Sequence, residues 1–112
     1  MGGKGNVTME NTQLHELLSL RGRVAIITGG HAWLGNDIAC ALAEFGCDII
    51  ITSRDQARAQ RAAEVIAARY GVKAIGLALE QKDYQSVQAM ADAAHRWQGH
   101  IDILVNNAGG GS

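Results

Sequence analysis

The sequence predicts an α/β fold built on a doubly wound parallel sheet. Four short apolar runs alternate with three amphipathic segments, and glycine alone separates them, since the chain has 14 glycines and no proline. Each helix must return the chain to the same edge of the sheet, so strands that alternate with helices pair in parallel through right-handed crossovers. We therefore expect about four strands with three intervening helices.

The first strand and helix surround a glycine-rich turn. The stretch VAIIT (24–28) is rich in apolar β-branched residues, which is typical of a strand buried on both faces. TGGHAWLG (28–35) follows, and an amphipathic helix then continues to Gly46, its predicted C-cap. The apolar positions of this helix are Leu34, Ile38, Ala39, Leu42 and Phe45.

The second unit repeats this order. DIIITS (48–53) predicts a buried strand, and Asp55 can cap the helix that follows it. That helix ends at Gly71, and its apolar side carries Ala62, Val65 and Ile66.

The third unit and a fourth strand complete the pattern. VKAIGLAL (72–79) predicts the third strand, and Asp83 can cap the third helix. IDILVN (101–106) predicts the fourth strand. The apolar positions of the third helix are Val87, Met90, Ala91, Ala94 and Trp97.

Composition excludes several classes of protein. A chain of 112 residues allows one domain at most, and a net charge of -1 offers no basic surface for nucleic acid. The two cysteines have neither zinc-site nor disulfide-framework spacing, so we expect no metal site. No signal peptide or membrane span is visible, which predicts a cytoplasmic protein. We expect a flexible or partly helical arm over 1–20 and one domain over 21–112.

The ends of the predicted strands carry the candidate binding residues. Backbone N–H groups of Leu34, Gly35 and Asn36 open a helix directly after a strand, an arrangement that binds anions, although a glycine turn alone is weak support. About 18 residues beyond Gly35, where dinucleotide folds read the adenosine ribose, stand Ser53 and Arg54. A hydroxyl beside a guanidinium suits a 2′-phosphate, which favours NADP over NAD. The neighbouring Asp55 either caps the next helix or partly neutralises Arg54.

These motifs resemble the short-chain dehydrogenase/reductase family. TGGHAWLG is similar to its T-G-x-x-x-G-x-G signature, and LVNNAG (104–109) is similar to its N-N-A-G signature, within a resemblance that covers 18–109. The resemblance implies a Rossmann-like fold, an NADP or, less favoured, NAD cofactor, an alcohol or carbonyl substrate, and a homo-oligomer without nucleic-acid or membrane partners. It gives roles in cofactor binding to Thr28, Gly29, Gly35, Arg54, Glu80, Asn106, Ala108 and Gly109.

The implied roles divide by position. Thr28, Gly29 and Gly35 belong to the pyrophosphate turn, and Arg54 to the 2′-phosphate. Glu80 faces the adenine edge, where the family more often has aspartate. Asn106, Ala108 and Gly109 flank the adenosine ribose and steady the central strand. Asparagine side chains can also bridge strand ends, an architectural role open to Asn106 and its neighbour.

Two departures from the family pattern stand out. Trp33 occupies the place of the second glycine, where it either stacks over the adenosine side or partly fills the phosphate site, and it resists a positive φ. His31 either donates to a phosphate or is solvated. Secondly, the family's reaction depends on a serine and a Tyr-x-x-x-Lys pair whose tyrosine transfers the proton. Neither Tyr70 nor Tyr84 is followed four residues on by a lysine, so no catalytic residue can be named.

The hypotheses that follow differ in class. We favour an NAD(P)-dependent oxidoreductase that transfers hydride between the nicotinamide and a carbonyl or secondary alcohol. This chain would be its N-terminal, adenosine-side portion, truncated before the catalytic half, with an incomplete sheet and no turnover of its own. The alternative is a non-catalytic nucleotide-binding or regulatory module. A flavodoxin-like or receiver protein is disfavoured, because receivers need acidic residues where the first strand here ends in Thr28-Gly29-Gly30.

Overall fold

The computed structural model describes residues 18–107, with Trp33 described by its backbone alone. Strands and helices alternate along the chain as predicted. The strands are β1 (Val24–Thr28), β2 (Asp48–Ser53), β3 (Ala74–Ala78) and β4 (Ile103–Asn106). The helices are α1 (Trp33–Glu44), α2 (Gln56–Tyr70) and α3 (Tyr84–Gln98). Most of the predicted arm, residues 1–17, lies outside the described residues.

The four strands form one parallel sheet in the order β3-β2-β1-β4. Every residue of β1 is buried, as its continuous apolar sequence predicts. The chain moves outward from β1 to β3 and then crosses to the other side of β1. This reversal of strand order creates a crevice at the carboxyl ends of β1 and β4, where ligands bind in folds of this kind.

The helices cover both faces of the sheet, which confirms the doubly wound arrangement. On one face, α1 and α2 pack against alternate strand residues such as Ile27 and Ile51. On the other face, α3 packs through Ala94 against Val24, Ile26 and Ile50. Small residues let α2 approach closely, because a Cβ added at Gly76 of β3 would collide with the α2 backbone.

Three of the four predicted helix caps are confirmed by their hydrogen bonds, and the fourth, Gly46, is wrong by one residue. The Asp55 carboxylate accepts the N–H groups of Ala57 and Arg58, and the Asp83 carboxylate caps α3 in the same way. Gly71 ends α2 in the left-handed conformation, at φ 71°. Phe45 is the C-cap of α1, and the predicted cap Gly46 follows it at φ 95°.

Some predicted boundaries and burials were wrong. β3 and β4 are shorter than 72–79 and 101–106, and at the start of β4 the side chain of Asp102 accepts the N–H of Val24. Val65 is 61% exposed, since only the small residues and Ile66 of α2 face the sheet. Val87 also lies at the exposed margin of its helix. Leu34 is 63% exposed because it lies at the open start of α1.

Candidate cofactor site

The carboxyl ends of three adjacent strands bring together most of the predicted binding residues. Thr28 of β1 pairs in register with Thr52 of β2 and with Asn106 of β4. The turns after these strands therefore open at one edge of the sheet. This is the edge to which the glycine turn and Arg54 both belong.

The glycine turn connects β1 to α1 with open donors at its end. Gly29 adopts φ 67°, and its N–H donates to the carbonyl of Thr52 over 3.0 Å. Ala32 caps α1 without a side-chain acceptor. Within residues 18–107, the N–H groups of Leu34 and Gly35 have no acceptor. Together with the positive end of the helix dipole, these two N–H groups form a candidate anion-binding site.

The expectation for one donor of this turn was wrong. The N–H of Asn36 donates to the carbonyl of Ala32 over 2.7 Å, because Asn36 already belongs to the first complete turn of the helix. His31 is exposed and has no hydrogen bond to a described residue. α1 begins at Trp33, so the backbone there is helical and the predicted cost of a positive φ does not arise.

Gly35 lies where α1 crosses the end of β1. A Cβ at this position would lie 2.6 Å from the carbonyl oxygen of Gly29 and 2.7 Å from Nδ2 of Asn107. The first of these neighbours is backbone and cannot turn away. Only glycine therefore allows the helix start, and the open N–H groups on it, to stay this close to the strand.

The side chain of Thr28 ties the ends of β1 and β4 together. Its Oγ1 donates toward Oδ1 of Asn106 at 3.1 Å and the carbonyl of Val105 at 3.3 Å, and it accepts the N–H of Asn107 at 2.9 Å. Nδ2 of Asn107 lies 3.5 Å from the carbonyl of Gly29. Asn106 thus has the architectural role that its residue type allows, and Asn107 shares it. Ala108 and Gly109 lie outside the described residues.

The turn after β2 carries an unpaired cation. Arg54 is exposed and forms no ion pair within the described part of the chain. The carboxylate of Asp55 is engaged as the cap of α2 and lies 3.9 Å from Nε of Arg58, which decides between its two predicted roles in favour of capping. Oγ of Ser53 accepts the N–H of Asp55 over 3.1 Å and is buried, so it shapes the turn.

The turn after β3 holds Glu80 by three hydrogen bonds. Its N–H donates to Oγ of Ser86 over 2.8 Å, its carbonyl accepts the N–H of Asp83, and Oε1 accepts the N–H of Lys82 over 3.2 Å. One carboxylate oxygen is therefore committed to the turn, and Oε2 is the atom left for a ligand. Ser86 was not predicted as a site residue, because its only signal in the sequence is a hydroxyl residue in the first turn of a helix.

Taken together, the strand order and the helices on both faces define a Rossmann-like α/β fold. Three features lie at consecutive turns along the edge of the sheet where the strand order reverses. They are an anion-binding site at the start of α1, an unpaired guanidinium after β2 and a carboxylate after β3. Within residues 18–107, no three or more His, Cys, Asp or Glu side chains are grouped to hold a metal ion. The helices of this region are also too short or too polar to cross a membrane.

The family is shown by comparison with known proteins. The family model for the short chain dehydrogenases matches residues 23–112, and the chain belongs to that family. It is 39% identical over 92 residues to the 3-oxoacyl-(acyl-carrier-protein) reductase of Aquifex aeolicus (strain VF5), covering 82% of this chain and 37% of the relative.

Solved structures agree with this assignment. A hydroxysteroid dehydrogenase from Escherichia coli superposes with a TM-score of 0.77 at 36% identity, covering 85% of this chain and 40% of that one. L-sorbose reductase from Gluconobacter frateurii, solved with NADPH and L-sorbose, gives 0.79 at 34% identity over 85% of this chain and 36% of that one. The chain thus spans between a third and two fifths of the length of the relatives named here.

Proposed function

We propose that this chain forms the adenosine side of the cofactor site in an NADP-dependent oxidoreductase. The full-length enzyme would interconvert a carbonyl and a secondary alcohol, the reaction class that membership of the family favours. When bound, the nicotinamide supplies the hydride that reduces the carbonyl, or takes the hydride removed from the alcohol. The observation that carries the choice of NADP is Arg54, an exposed guanidinium without a carboxylate partner in residues 18–107.

Charge at the turn after β2 supports this choice of cofactor. A carboxylate directed to the ribose would repel a 2′-phosphate and favour NAD. Asp55 directly follows Arg54 in the sequence, but its carboxylate caps the start of α2 and lies 3.9 Å from Nε of Arg58. Arg54 therefore offers planar, charge-assisted donors to a phosphate dianion. The structure of L-sorbose reductase with NADPH supports the same preference by analogy.

The remaining residues would position the cofactor. The N–H groups of Leu34 and Gly35 would hold the pyrophosphate, and Oε2 of Glu80 would accept from the adenine amino group. Thr28 and Asn106 would act indirectly, by fixing the strand ends beside the ribose. His31 stays a predicted phosphate donor and Trp33 a predicted neighbour of the pyrophosphate.

No residue of this chain is assigned a part in the chemical step. The 112 residues contain no Tyr-x-x-x-Lys pair, so we expect no turnover from them alone. A cytoplasmic location and a homo-oligomeric state likewise stay predictions.

Arg54→Asp in the full-length enzyme tests the cofactor assignment. We expect kcat/KM with NADPH to fall by about 100-fold, since a charge-assisted contact worth about 1.5–3 kcal/mol is lost and a repulsive charge replaces it. The value with NADH should hold or rise. Steady-state kinetics with both cofactors measure the ratio.

Arg61→Asp is the matched control, because Arg61 is also exposed but lies one turn into α2. It should leave the ratio of the two cofactors within about twofold, as expected for a distant surface charge. An enzyme that prefers NADH, or a preference that Arg54→Asp leaves unchanged, would show that Arg54 does not read the 2′-phosphate.

A further inference from the structure

A hydrogen-bonded cluster joins the amino-terminal ends of β1 and β4, at the edge of the sheet opposite the cofactor site. Nε2 of His100 lies 2.8 Å from the carbonyl oxygen of Gly22 and 3.2 Å from Oδ2 of Asp102. Its Nδ1 lies 3.1 Å from the carbonyl oxygen of Gln98. Both ring nitrogens therefore face oxygen atoms that can only accept.

The geometry requires two donors from one ring. A neutral imidazole carries a single N–H, so one nitrogen would set its lone pair against a carbonyl oxygen. The imidazolium donates from both nitrogens and satisfies every contact. We propose that His100 is a pH-sensitive clasp whose protonated form holds the segment before β4 against the segment before β1.

The clasp acts through Asp102 as well as through the backbone. Oδ2 of Asp102 also accepts the N–H of Val24 over 2.8 Å, and the N–H of Asp102 donates to the carbonyl of Val24. The start of β1 is thus bound to the start of β4 by the backbone, the carboxylate and the imidazole. Asp102 takes part in all three of these links.

Charged groups around His100 set the direction of its titration. The carbonyl of Gly22 raises the pKa of His100 most, and Asp102 and the carbonyl of Gln98 raise it further, against partial burial and the positive charge of Arg23. Arg23 lies 3.6 Å from Oδ1 of Asp102 on the β1 side. His95 and Arg96, in the last turn of α3, are basic and offer His100 no opposite charge. The pKa of His100 therefore lies above its ordinary value of 6.5.

The sign of the pH effect follows from this raised pKa. The folded protein binds the proton more tightly than the unfolded chain does, so the stabilisation is complete below a pH of about 6.5 and is lost as the pH rises through the folded pKa. The His100 side chain is 45% exposed, and solvent therefore screens part of the effect.

The direct test follows the ring carbons of the histidines by NMR in the full-length protein. Variants at His15, His31 and His95 identify the other three histidine signals of this chain without changing His100. We expect the His100 signal to titrate with a pKa above the ordinary histidine value of 6.5. Titration at or below that value would overturn the proposal, and this measurement needs no variant of His100 itself.

A second test compares unfolding midpoints from about pH 5.5 to about pH 8.5. The midpoint difference between the unmodified protein and His100→Gln should shrink as the pH rises, because glutamine carries no titrating proton. His95→Gln, on the exposed side of α3, should show no such trend. A difference for His100→Gln that is constant across the range would mean a purely structural contact and would overturn the clasp.

Discussion

The two ends of β1 differ in how their polar groups are used. At the carboxyl end, the N–H groups of Leu34 and Gly35 and the guanidinium of Arg54 have no partner in residues 18–107. At the amino end, Val24, Asp102 and His100 bind one another. One end is therefore built to receive a ligand and the other to hold the strands together.

The parallel arrangement explains this difference. Every helix that follows a strand begins at the carboxyl end of the sheet, where its dipole is positive. Asp55 and Asp83 cap α2 and α3 there, whereas α1 has no capping side chain and its first N–H groups stay open. Every such helix ends at the amino end, where Gly71 and Gly99 close the last turns of α2 and α3 by donating to carbonyls. The same connectivity thus leaves donors open at one edge and closes acceptors at the other.

Gly35→Ala should have the largest effect on stability and on cofactor binding, since it changes the contact between α1 and β1 at the carboxyl end of the sheet. The added methyl group meets the carbonyl of Gly29 at 2.6 Å, so α1 must move away from β1. We expect a loss of about 3 kcal/mol in unfolding free energy, toward the upper end for overpacking, and at least about tenfold weaker cofactor binding. Urea titration and fluorescence titration with NADPH measure the two effects.

Asp37→Ala is the matched control for this substitution. It lies two residues further along the same helix and is exposed, so both quantities should stay close to those of the unmodified protein. If Gly35→Ala bound cofactor as tightly as the control, the anion-binding site would not depend on the close approach of α1 to β1.

A pair of threonines tests how much hydrogen bonds stabilise the carboxyl ends of β1 and β4. Thr28 and Thr52 are paired in register and both are buried, but Oγ1 of Thr52 has no hydrogen-bond partner among the described residues. Thr28→Val removes the bonds to Asn106 and Asn107 and should cost about 1–3 kcal/mol of unfolding free energy. Thr52→Val replaces an unpaired buried hydroxyl by a methyl group and should be neutral or stabilising.

Urea unfolding of both valine variants makes this comparison, because the two substitutions change the same atoms in paired positions. Equal losses would show that the hydroxyl of Thr28 contributes nothing beyond its packing. A Thr28→Val variant that unfolds normally but binds NADPH more weakly would place the effect in the alignment of the strand ends.

The sequence predicted those parts of the fold that depend on interactions between residues close together in the chain. The ranges of β1 and β2 follow from continuous apolar runs, and the caps Asp55 and Asp83 from a carboxylate just before a helix. The family of the chain followed from two glycine- and asparagine-containing motifs at strand ends. Those motifs were informative because backbone geometry allows few residues there.

Contacts between distant segments were beyond the sequence. The bonds that join Thr28 to Asn107, and Ser86 to Glu80, depend on where separate turns meet. The exposure of Val65 was missed because helical periodicity does not say how wide a stripe the sheet will cover. The cluster at His100 was also missed, because Gly22 lies 78 residues from His100 in the sequence.

The smallest expected effect is a difference in reactivity between the two cysteines. It tests whether the amino end of the sheet stays closed to solvent. Cys47 is fully buried just before β2, with its Sγ 3.5 Å from the carbonyl of Arg23. Burial and the negative charges of Asp48 and Asp102 raise the pKa of Cys47 to about 11. Since only the thiolate is nucleophilic, at pH of about 8 only about one thiol in a thousand at this position is reactive. Cys40, half-buried on α1, lacks this enclosure.

Single-cysteine variants measure this difference without changing stability much. Cys40→Ser leaves Cys47, and its reaction with a chromogenic disulfide reagent should be slow in buffer and fast in urea. Cys47→Ser leaves Cys40, which should react in both. If Cys47 reacted in buffer as fast as Cys40, the amino end would open without global unfolding, and β1 would then be held no more firmly at that end than at the cofactor site. The contrast between the two ends therefore depends on Cys47 staying unreactive until the sheet itself unfolds.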